Sequence, residues 1–181
     1  MGEIKSTLEL AMERTKKFTI SEKEKEEIKQ KEILQKATSL FHRYLGGHLP
    51  LNEILKEIEK LEKKAATTVK EFLLSQWINA LSLEEEDDER VLKGIESLKQ
   101  RSINEIRENL YHLLSQYQGE KEKVIEKVKG QFAEALRKEG IYGSAVEPRL
   151  EGSELWKKEN EELDHSYRIK LEEIKEQLRD L

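Results

Sequence analysis

The sequence predicts an all-α fold: an elongated antiparallel helical bundle, coiled-coil-like, with about five or six helices in a single domain over residues 1–181. Apolar residues recur at steps of three and four along most of the chain, the spacing that stacks side chains on one helix face. Charged residues make up 39% of the chain and the hydrophobic set 36%, a balance that suits thin helices with a large wetted surface. Nine glycines and two prolines leave few places for a helix to stop. No segment alternates with the period of two that a half-buried strand requires.

Residues 3–17 read as a short helix with Ile4, Leu8, Ala11 and Met12 on one side, too short to stand without docking. Ser21 with Glu24 three residues on is a capping box and opens a second helix over about 22–45. Its first half is solvated. Its second half carries Leu34, Ala37, Leu40, Phe41, Tyr44 and Leu45, and Gly46-Gly47 supplies a left-handed stop. After the connector His48-Leu49-Pro50, one amphipathic run spans 51–81, from Leu51 and Ile54 to Phe72, Leu73 and Trp77. Its last third is the most apolar part of the chain. Trp77 demands both a thick packing neighbourhood and a partner for its indole N–H.

Ser82 and Glu85 form a second capping box, and a very short connection there predicts an antiparallel hairpin. The longest stripe follows over 83–139, through Val91, Ile95, Leu98, Ile106, Leu110, Leu113, Tyr117, Val124, Val128, Phe132 and Ala135. Gly119 is the one place where this run is expected to break, if anywhere. The seven-residue step from Tyr117 to Val124 keeps the stripe in register across it and favours a continuous helix. Gly140 closes the run. Residues 140–153 form a loop, and a last helix over 154–180 repeats Trp156, Leu163, Tyr167, Lys170, Ile174, Leu178 and Leu181 in heptads.

Composition excludes several functions. The net charge is −5 and bases are interleaved with acids, so the phosphate neutralisation that nucleic-acid binding depends on is not expected. Without cysteine, thiolate metal sites and disulfides are ruled out. No run reaches the ~20 apolar residues of a membrane span, and the opening residues lack a signal peptide's apolar core, so a cytoplasmic location is expected. Met1-Gly2 with Ser6 matches the myristoylation pattern only formally. The acidic run Glu84 to Glu89 is read as acids facing a helix N-terminus rather than a cation loop, because it lacks interleaved Gly and Asn. Glu162 and His165 have the spacing of a di-iron ligand pair, yet helical geometry turns both away from the apolar stripe and no second such pair exists. No nucleophile elbow, nucleotide loop or kinase-like pattern occurs.

The expectation is therefore a non-enzymatic structural or interaction protein, a scaffold, tether or adaptor, without cofactor and self-associating as a homodimer. A candidate partner or ligand surface comprises Trp77 and the loop residues Tyr142, Ser144, Glu147 and Arg149, since recognition residues concentrate on loops held by rigid scaffolds. The competing reading of that loop is a docked crossing, pinned by Ile141 and Val146. Two alternatives remain: a small-molecule-binding bundle with its site near Trp77 or beneath the 140–153 loop, and a nucleic-acid-associated regulator.

Overall fold

A computed structural model of the chain describes residues 21–84, 88–141 and 153–181. These residues form six helices and no strand: α1 (Glu22–Leu45), α2 (Leu51–Glu59), α3 (Lys63–Ala80), α4 (Asp88–Lys99), α5 (Asn104–Lys138) and α6 (Glu154–Asp180). The fold is all-α. The expected helix over 3–17, the partner Glu85 of the second capping box and most of the 140–153 loop lie outside the described residues. The chain divides into two compact units, Met1–Leu73 and Leu74–Leu181, with α3 contributing residues to both.

In the first unit, α1 starts as its sequence dictates. The Ser21 N–H donates to Glu24 Oε2 at 2.7 Å and the Glu24 N–H to Ser21 Oγ at 3.1 Å. The helix ends in a Schellman cap. Gly47 has φ +72°, and the N–H groups of Gly47 and His48 reach back to the carbonyls of Tyr44 and Arg43. Ala37, Leu40 and Tyr44 of α1 bury against a core that also holds Leu49, Ile54, Ile58, Ala65, Val69 and Leu73. Leu34, expected on this face, is 40% exposed. The run over 51–81 is two helices, parted at 60–62. Neither Gly nor Pro marks this break. Ion pairs to α1 flank it instead, Lys29 to Glu62 at 2.9 Å and Lys64 to Glu26 at 3.0 Å.

In the second unit, Trp77 is fully buried, and Ile78, Leu81, Val91, Leu92, Ile95, Ile103, Leu110 and Leu178 are buried as well. Its ring lies against the bare backbone of Gly94: a Cβ there would stand 2.9 Å from both Cε3 and Cζ3. The run expected over 83–139 also splits, and not at Gly119, through which α5 passes without a break. It begins in the described residues at Asp88 and turns back at 100–103. Gln100 takes φ +53° there, and the Ile103 N–H donates to Glu96 Oε1 at 3.4 Å. The turn makes α4 and α5 an antiparallel pair, clasped by Arg107 to Glu96 at 2.7 Å and by Tyr111 to Glu89.

Helices α5 and α6 are antiparallel as well. Lys127 pairs with Glu159 at 2.8 Å, and Tyr117 with Asp164 at 2.7 Å. Helix α6 opens at Ser153, whose Oγ accepts the Trp156 N–H. It closes near α4, where Lys99 donates to the Arg179 carbonyl and Arg101 to that of Leu181. Two cations on otherwise unpaired terminal carbonyls oppose the negative end of the helix dipole. The heptad pattern of α6 is modified in its second half: Lys170 is exposed, its ammonium 4.3 Å from the Tyr167 ring centroid. Lys175 is buried in its place.

The glycines separate these effects. Gly94→Ala should lower stability by about 1–3 kcal/mol, the cost of overpacking against a rigid ring. Gly119→Ala, whose Cβ would meet nothing within 4 Å, should raise it by about 0.5–1 kcal/mol through helix propensity. Gln100→Gly should also stabilise, because only glycine takes positive φ without steric cost. Urea unfolding midpoints of the three variants test all three signs.

Candidate functional site

The site with the most converging chemistry lies in the second unit, where the 81–84 turn, α5 and α6 line an open cavity of about 460 Å³. Five of its lining residues, Asp164, Arg168, Leu171, Glu172 and Lys175, follow steps of three and four and so share one face of α6. The turn supplies Leu81, Ser82, Leu83 and Glu84; α5 supplies Tyr117.

A polar chain crosses the wall. Asn160 Nδ2 donates to Asp164 Oδ2 at 3.2 Å, and Tyr117 Oη donates to Asp164 Oδ1. Lys121 Nζ donates to Tyr117 Oη at 3.3 Å and to Glu84 Oε1 at 2.9 Å. Burial, and then the bond to Asp164, pushes the Tyr117 phenol above its ordinary value. The hydrogen bond from Lys121 holds the Glu84 carboxyl below its own. The bond to Glu84 raises Lys121 in turn. All of these shifts keep Tyr117 neutral and the Lys121–Glu84 pair ionised at neutral pH. Tyr117 is fully buried and its ring meets that of Tyr167 at 5.4 Å between centroids.

Lys175 is the unusual cation of the site. Its side chain is only 10% exposed, and its ammonium pairs at 3.0 Å with Glu172, itself 56% exposed. Arg179 donates to Asn79 Oδ1 at 3.0 Å and closes the lower edge.

Of the residues singled out from sequence, Tyr142, Ser144, Glu147 and Arg149 lie outside the described residues. Trp77 has no exposed surface and works as a packing centre, two residues before the first cavity-lining residue, Asn79. The cavity residues were missed. Their one signal was polarity recurring along a single face of α6, which is faint in a chain where acids and bases are everywhere. Glu162 and His165 are exposed, as helical geometry required. Among the described residues no group of three or more His, Asp or Glu could hold a metal ion. Nor is any of the described helices long and apolar enough to cross a membrane.

Fold and site together define an all-α protein in which antiparallel helices line a small cavity with both polar and apolar walls. Residues 55–180, more than half of the chain, match the family described as a family of unknown function (DUF6657), and the chain belongs to it. The matched span holds all of α3 to α6 and with them the whole cavity lining. No curated protein and no solved structure matches the chain.

The tyrosines give a spectroscopic test. Partial desolvation, and then the bond to Glu89, raises the half-exposed Tyr111 from 10.0 to about 12; burial raises Tyr117 and Tyr167 as well. A folded pKa above the unfolded one contributes stability that is complete below pH ~10 and lost as pH rises through the folded pKa. Phenolate absorbance should therefore show a component near pH 12 that Tyr111→Phe removes, with stability falling above pH ~10.

Proposed function

We propose that this chain is a non-enzymatic structural or interaction protein, a scaffold or adaptor that works through helical faces and self-associates as a dimer. The observation that supports this most is the change in burial along α5. In its first half Leu110, Leu113 and Tyr117 are buried. Beyond Gly119 the apolar stripe continues, but Val124, Ile125, Phe132, Ala133 and Leu136 are only half-buried and Val128 alone is fully covered. On the facing helix Trp156 is half-buried too. Among the described residues α6 alone lies along this stripe, and another helix would complete its cover by the same ridge-and-groove packing that joins α5 to α6. Its flanks are ionic, as in helices that choose partners by charge at the seam edge. A cytoplasmic setting accords with the lack of cysteine.

The dimer predicts a concentration-dependent sedimentation coefficient at micromolar protein. Val124→Ser with Phe132→Ser should shift the population to monomer by weakening association at least about tenfold, the effect of losing a buried apolar anchor. The helical circular dichroism should be retained. A wild-type monomer across that range contradicts self-association.

A further inference from the structure

We propose that the cavity beside the 81–84 turn binds a small organic monocarboxylate with an apolar body. Its volume, about 460 Å³, falls within the range of small-molecule sites. The inference stands apart from self-association, since it uses α6 residues 164–175 and not the half-covered stripe beyond Gly119.

The sign of the ligand follows from which polar groups are already satisfied. Glu84 is held by Lys121, and Asp164 by Tyr117 and Asn160. The acids of the wall are thus acceptors in use. The donors are not. Arg168, exposed, is attracted to Glu84 only at longer range. Among the described residues it makes no ion pair within 4.0 Å, which leaves its five N–H donors available. Lys175 spends one donor on Glu172 and has two more. Its side chain is only 10% exposed, and a second anionic partner would add to the one exposed carboxylate that now pairs with it.

The walls set the rest of the ligand. Leu81 and Leu83 on one side and Leu171 on the other would cover an apolar body. Glu84, Asp164 and Glu172 line the same space and would repel a dianion such as phosphate more than a single carboxylate. Arg168 and Lys175 stand seven residues apart on one helix face, about 10.5 Å of rise, so one carboxylate would accept from both only as their long side chains converge on it.

Hexanoate serves as the probe, titrated into the intact chain and followed by amide proton–nitrogen spectra. Hexylammonium and inorganic phosphate are the comparison ligands. The expected result is saturable shifts confined to residues 79–84, 117 and 164–175, with hexanoate the tightest of the three. Lys175→Met, which keeps the buried stem, and Arg168→Gln should each weaken binding about tenfold while the spectrum stays folded, as for loss of a charge-assisted bond. Because Arg168 is exposed, its variant reports on binding even if Lys175→Met impairs folding. Preference for hexylammonium, phosphate binding as tightly as hexanoate, or no saturation by roughly 10 mM hexanoate would each overturn the proposal.

Discussion

The seating of α4 on α3 depends on one contact, the Trp77 ring laid on the backbone of Gly94. Without a Cβ at position 94, α3 and α4 approach closely enough for the indole to be fully enclosed. An aromatic group of that size dominates the local packing energy. Helix α4 then meets the remaining helices along one edge and at its end. Glu89 and Glu96 take Tyr111 and Arg107 of α5. Lys99, and Arg101 just beyond, take the last carbonyls of α6. Helices α5 and α6 both touch α4, and in their own pairing Tyr117 stands opposite Asp164 with the cavity beside them.

Helix ends were legible wherever chemistry is local. Ser21 with Glu24, Gly47, Gly140 and Ser153 each act through bonds within a few residues, so the sequence contains the whole cause. The breaks at 60–62 and 100–103 were not legible, because Leu61 and Gln100 belong to stretches without Gly or Pro. Distant partners stabilise those turns: Glu26 and Lys29 flank the first. At the second the nearer Glu96 and Arg107 clasp the hairpin. Gly119 attracted notice as a glycine in a helix, yet it sits in open space. Gly94, the glycine that matters, is indistinguishable from it by propensity alone.

The cavity shows the same limit in another form. Heptad counting placed Lys170 on the α6 seam, but the buried lysine is Lys175. A long aliphatic stem lets either residue cover apolar surface. Which one does so depends on the neighbours that α3 and the 81–84 turn provide. Sequence spacing records the apolar face of a helix well. It does not record which charged residue lies at the edge of that face with a cavity beyond it.

Covering along α5 is uneven, and the functional reading rests on that. From Asn104 to Tyr117 the helix has α4 clasped to it by ion pairs; further on its described partner is α6. Helices with fewer neighbours open at lower free energy. Hydrogen exchange on the intact chain, followed residue by residue at several protein concentrations, measures this directly. The account predicts that amides of 106–117 and 167–178 exchange slowest and independently of concentration. Those of 121–136 should exchange faster in dilute solution and gain protection as concentration rises. Equal protection along the whole of α5 at every concentration would contradict it.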